Sequence, residues 1–112
     1  MDTEIIITQE NVKEELENLF PIVCQILGVD EKLLTKPTIL WTTSELLEVF
    51  GIYSDIGYHP GDKIILICKE ATIRRGQLAH EIGHCVAMQN LNLPYGDSEE
   101  WAQLAETEIA KL

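Results

Sequence analysis

Basic residues are scarce in this chain: 8 lysines and arginines stand against 19 aspartates and glutamates, giving a net charge of -11 over 112 residues. A surface of that sign repels phosphate backbones and anionic headgroups, so neither nucleic acid nor a membrane is expected as a partner. Long apolar runs are missing too. The longest is "IILIC", residues 64–68, far short of the roughly 20 residues a membrane helix needs. Met1 is followed by "DTEIIITQE", which has neither a basic n-region nor a long apolar stretch, so no signal peptide is read there. The expected location is cytoplasmic. Cysteine is limited to Cys24, Cys68 and Cys85. Their odd number, wide spacing and lack of any C-x-x-C argue against a disulfide framework and against a four-thiolate zinc site. Each lies in apolar surroundings, which predicts buried thiols.

Apolar residues make up 46% of the chain, enough to fold, and the length suits a single domain, 1–112, with one modest core. "EIIIT" reads as a short strand or an arm. A helix is predicted from about Gln9 to Leu27, because Val12, Leu16, Leu19, Phe20, Val23, Ile26 and Leu27 recur with a helical period. Pro21 should bend it and Gly28 should cap it. "PTILW" reads as a strand. Thr42 with Glu45 resembles a capping box opening the short helix "SELLEVF", which stops at Gly51. "IYSDIGYH", the turn "PGD" and "KIILICK" predict a β-hairpin. A second long helix is expected from about Thr72 to Gln89. Leu78, Ile82, Cys85 and Val86 form one stripe on it, and Ile73, Gln77, His80, His84 and Ala87 another, so it should lie centrally. A final helix, "DSEEWAQLAETEIAKL", would turn Trp101, Leu104, Ala105, Ile109 and Leu112 inward.

The chemistry concentrates in "HEIGH", residues 80–84. His80 and His84 are one helical turn apart, so both imidazoles project from one face and can reach a single ion. Neutral imidazole is a good zinc ligand. Glu81, turned by about 100°, stands beside such an ion rather than on it, placed to take a proton from an attacking water. Gly83 leaves a bare patch where another backbone can approach. Zinc in a catalytic site takes three protein ligands. No histidine follows His84, so the third ligand is expected to be a carboxylate on the last helix, where Glu99 and Glu100 stand in the first turn. Asp97 with Glu100 also fits a helix-capping arrangement, which would leave Glu99 to the metal.

"LAHEIGH" followed by "EEWAQLAETEI" resembles the glutamate-type zincins, the gluzincins, and in particular the small minigluzincin and ImmA/IrrE-like proteins. The likeness covers about residues 51–112. It implies an α+β fold: a minimal zincin-like domain with a small mixed sheet, an N-terminal helix, an active-site helix and a C-terminal glutamate helix. It implies Zn2+ held by His80, His84 and Glu100, Glu81 as catalytic base, and hydrolysis of a peptide or unfolded protein substrate. Trp101 stands where that family usually has alanine. Tyr58 and Tyr95 are candidates to donate a hydrogen bond to a developing oxyanion, and "GIYSDIGYH" is a candidate edge strand for pairing with substrate. His59, before Pro60, reads as a solvated turn histidine. Only about twelve residues follow Glu100, so half of a cleft is nearly absent. That leaves room for a latent peptidase, with a terminal segment or a second copy filling the cleft, and for a metal-holding regulatory or binding protein with little turnover.

Overall fold

The first long helix starts later than its apolar period suggests, and two side chains explain why. In the computed structural model, which describes residues 1–112, the Thr8 amide donates to Asn11 Oδ1 at 2.7 Å and the Asn11 amide donates to Thr8 Oγ1 at 3.2 Å. This reciprocal pair holds residues 8–11 in a turn, and helix α1 runs Val12–Leu27. Val12, Leu16, Leu19, Phe20, Val23 and Cys24 are buried along it. Gly28 ends it as expected, at φ 70°, while the Val29 amide reaches back to the Cys24 carbonyl at 2.8 Å.

Strand β1 is Ile6–Ile7, β2 Thr38–Thr42, β3 Ile56–His59, β4 Ile64–Cys68 and β5 Ile73–Arg74. The apolar "IILIC" run becomes β4, the centre of a three-stranded sheet ordered β2-β4-β3. β2 lies parallel to β4 and β3 antiparallel to it, so the sheet is mixed and the expected hairpin forms with Ile56 opposite Ile67. β3 is therefore an edge strand. It begins at Ile56 rather than Ile52 because the preceding segment folds over it. A Cβ at Gly57 would stand 2.6 Å from Ile52 Cγ2, so the glycine makes room for that fold-over. Between β2 and β3 lies helix α2, Ser44–Val49. Its cap is Thr43, whose hydroxyl accepts from the Leu46 amide at 3.3 Å, whereas Thr42 stays in β2 opposite Cys68.

The central helix, α3, spans Arg75–Leu91. It begins after Thr72 because Ile73–Arg74 is drawn into a small antiparallel sheet with β1. The N-terminal arm also satisfies the first amides of α3: Arg75 donates to the Ile5 carbonyl at 2.8 Å and Gly76 to Thr3 at 3.0 Å. Arg75 grips Glu15 of α1 with two 2.7 Å bonds from a largely buried position.

A 3-10 turn, Gly96–Ser98, leads into α4, Glu99–Ala110. Its inner face matches the expected one at Ala105 and Ile109 and differs elsewhere. Ala102, Ala105 and Ile109 are fully buried, Trp101 is only half-buried, and Leu104 and Leu112 are exposed. Small residues win this face because α4 lies directly on α3. A Cβ at Gly83 would stand 2.7 Å from Ala102 Cα. The bare patch anticipated at Gly83 is thus the contact between the two helices. The fold is α+β, four helices on small sheets. All three cysteines are buried and free. No helix is long and apolar enough to cross a membrane.

Candidate metal centre

His80, Glu81 and His84 offer one ligand atom each within 4.8 Å of one another on α3. The carboxylate that α4 brings to them is Glu99. Its Oε1 lies 2.9 Å from His80 Nε2 and its Oε2 lies 3.0 Å from His84 Nε2. Glu100, the third ligand implied by the family resemblance, is exposed and makes no contact with either histidine. Nor does it serve the cap: Ser98 is the N-cap of α4, without a side-chain capping bond. Helix phase is the physical reason. Adjacent residues diverge by about 100° around a helix. With Ala102 and Ala105 set against Gly83, Glu99 flanks the contact and Glu100 faces away.

The second ring nitrogens are held as well, by two residues that the sequence reading did not single out. His80 Nδ1 lies 2.9 Å from Glu106 Oε1. His84 Nδ1 lies 2.6 Å from Ser98 Oγ, and that hydroxyl donates to the Tyr95 carbonyl at 2.6 Å. These partners assign the tautomers. A carboxylate only accepts, so His80 Nδ1–H donates a hydrogen bond to Glu106. Ser98 has spent its one hydrogen on Tyr95, so it too accepts, from His84 Nδ1–H. Burial, and next the neighbouring His80, push His84 down to about 4, so this ring is neutral near pH 7.

On the neutral His84 ring Nε2 therefore carries the lone pair, and the Nε2 atoms of both rings face the Glu99 carboxylate. His84 Nε2 is buried without a hydrogen-bond partner, with Glu99 Oε2 3.0 Å away. The buried His84 lone pair and the Glu99 carboxylate are two acceptors facing each other with no donor between them, an arrangement that a cation resolves. Donors around a tetrahedral zinc, with bonds of about 2.0–2.1 Å, stand about 3.3 Å apart. The observed 2.9 and 3.0 Å lie within a few tenths of that spacing. Two imidazoles and a carboxylate, each imidazole fixed through its far nitrogen, are a donor set that fits zinc.

Glu81 stands beside this cluster, buried. Its carboxyl is pushed up to about 8, first by burial and then by the negative charge of Glu99. It accepts from the Tyr95 hydroxyl at 3.5 Å and from the backbone of Tyr58 in β3. Tyr95 lies parallel to the His84 ring at 4.1 Å and covers it. Burial raises the Tyr95 phenol, which keeps it a donor. Of the two tyrosines suggested by sequence, Tyr95 thus reaches the site. Tyr58 brings only its backbone: its side chain is buried, with the hydroxyl against Cys85. His59 is turned away, its ring edge-on to Phe50 at 5.0 Å and its Nδ1 3.4 Å from Asp62. The residues missed by sequence carried one usable signal: Glu106 is seven residues after Glu99, two turns along the same face. Ser98 carried none. Comparison with protein-family models, with curated proteins and with solved structures finds no match to this chain.

Proposed function

We propose that this chain is a zinc-dependent peptidase in which His80, His84 and Glu99 hold the ion and Glu81 is the general base. The observation that carries this reading is the convergence of both Nε2 atoms on the Glu99 carboxylate, with the buried His84 Nε2 left without a partner. Zinc bound there would supply Lewis acidity and bring the pKa of water toward neutrality. Everything else falls to the chain itself. Glu106 and Ser98 keep each imidazole in one tautomer and one orientation. Glu81 removes a proton from the attacking water as its oxygen joins the peptide carbonyl carbon, then returns that proton to the amine as the C–N bond breaks. Burial and the Glu99 charge raise this carboxyl in metal-free protein, and a cation bound beside it would favour the ionised form that a base needs. The Tyr95 hydroxyl, next to Glu81, can donate to the oxygen that gains charge.

The test is metal content together with turnover. The wild type should bind one zinc per chain. Glu99→Ala should lose it and Glu100→Ala should keep it. The wild type should cleave an unfolded protein substrate, and Glu81→Gln should retain zinc while losing cleavage. A wild type that holds zinc but cleaves nothing, at any dilution, would make this a metal-holding binding protein instead. A wild type that binds no divalent metal would end both readings.

A further inference from the structure

Next to the metal cluster, beyond Tyr95, lies a cavity of about 490 Å³. Phe50, Ile52 and Tyr53, from the segment between α2 and β3, form one wall, and Pro60 closes the end past β3. Tyr58 and Tyr95 form the side toward the site. The same two residues reach Glu81, Tyr58 through its backbone and Tyr95 through its hydroxyl at 3.5 Å. The cavity and the candidate base therefore share a border.

Its lining is unlike the rest of the molecule in charge. The chain carries 19 acidic residues among 112, yet none of the nine residues lining the cavity is acidic. Its one titratable cation former, His59, has its Nδ1 engaged by Asp62 at 3.4 Å. A basic side chain entering the cavity would leave water without finding a counter-charge, and an acidic one would find no free cation. An apolar side chain loses nothing and gains burial. Tyr53 stands at the mouth, 84% exposed.

We propose that this cavity receives one leucine- or phenylalanine-type side chain of the peptide substrate, beside the bond to be cleaved, with Tyr53 closing over it as a specificity-determining residue. The inference rests on the peptidase reading above. Apolar pockets discriminate by roughly tenfold or more per methylene-sized difference. Peptides with Leu or Phe at the position next to the cleaved bond should therefore exceed those with Asp or Lys there by at least about tenfold in kcat/KM.

Two measurements test it separately from the peptidase reading. The first is cleavage of a peptide set varied at single positions by the zinc-loaded wild type and by Tyr53→Glu, whose exposed position leaves the fold intact. The wild type should prefer Leu and Phe at one position next to the cleaved bond. The variant should lose that preference by about tenfold and gain Lys and Arg. The second is NMR titration of zinc-loaded Glu81→Gln with N-acetyl-phenylalanine amide and with N-acetyl-lysine amide. Shifts should appear at residues 50–54, 59–60 and 95 with the phenylalanine probe alone. If the probe binds there while the wild type cleaves nothing, the cavity stands as an apolar peptide site and only the peptidase reading fails. If the wild type cleaves without an apolar preference, or the variant leaves the profile unchanged, the cavity inference is overturned. It is also overturned if these resonances shift on concentrating the protein alone, because a second copy is then the occupant.

Discussion

Replacing Gly83 by alanine sets two effects of opposite sign against each other. In a helix interior alanine is better than glycine by about 1 kcal/mol, so propensity alone predicts a more stable protein. Packing opposes this. The new methyl would lie 2.7 Å from Ala102 Cα and 3.2 Å from Ala105 Cβ, where ordinary contact begins at 3.4 Å. The closest neighbour is backbone, so no side chain can swing aside, and restoring ordinary contact moves α3 and α4 apart by about 0.7 Å. Overpacking of this kind costs about 1–3 kcal/mol. Taking the middle of that range against the propensity gain leaves about 1 kcal/mol of net destabilisation. In a domain of this size that lowers Tm by about 4 °C. The same displacement carries Glu99 away from the two Nε2 atoms, and metal sites tolerate only about 0.2 Å. The assay is thermal unfolding of wild type and Gly83→Ala, each with chelator and with zinc. The variant should melt lower with chelator, and zinc should raise its Tm by less than it raises that of the wild type. A variant that melts higher, with an undiminished response to zinc, would refute the tight α3–α4 contact and with it the placement of Glu99.

Three further outcomes are expected. Ser98→Ala removes the acceptor that holds His84 Nδ1–H, and zinc affinity measured by competition with a chelating dye should fall by about 10–100-fold, with the circular dichroism spectrum unchanged. In metal-free protein, Glu81 holds its proton up to about pH 8 in the fold against 4.5 when unfolded. Its contribution is thus full below pH 4.5 and is lost as pH rises through 8, a change of about 5 kcal/mol at most. Urea unfolding with chelator should show wild type losing stability relative to Glu81→Gln between pH 5 and pH 9, and parallel curves would contradict a buried, raised Glu81. Arg75→Ala strands the largely buried Glu15 carboxylate, so it should cost about 3 kcal/mol in urea unfolding, and Glu15→Ala in the same background should restore part of that loss.

Much of the candidate site was legible in one dimension. The spacing of His80 and His84 determines that both rings leave α3 on one face, and the position of Glu81 places it a quarter-turn aside, because helix geometry is local. The same holds for the Gly28 cap, the β3–β4 hairpin and the bare patch at Gly83, each of which depends on residues within a few positions of one another.

The third carboxylate was not local. Glu99 and Glu100 are neighbours, and choosing between them needs the rotation of α4 against α3. Of the expected inner face, Ala105 and Ile109 are right, but counting Trp101, Leu104 and Leu112 with them blurs the phase of α4. Ala102, Ala105 and Ile109 are the buried ones, and around that face Glu99 and Glu106 both flank the contact while Glu100 points to solvent. Bulk misleads where two helices touch at a glycine, since only small side chains fit the gap. Tertiary structure alone decided the Ser98 and Glu106 partners, the burial that lowers His84 and raises Glu81, and the acid-free cavity walled by segments on either side of β3. Sequence determined which groups share a helix face, because that follows from a rise and a rotation per residue. Which faces meet was decided by packing, because it depends on the shape of every residue in the contact at once.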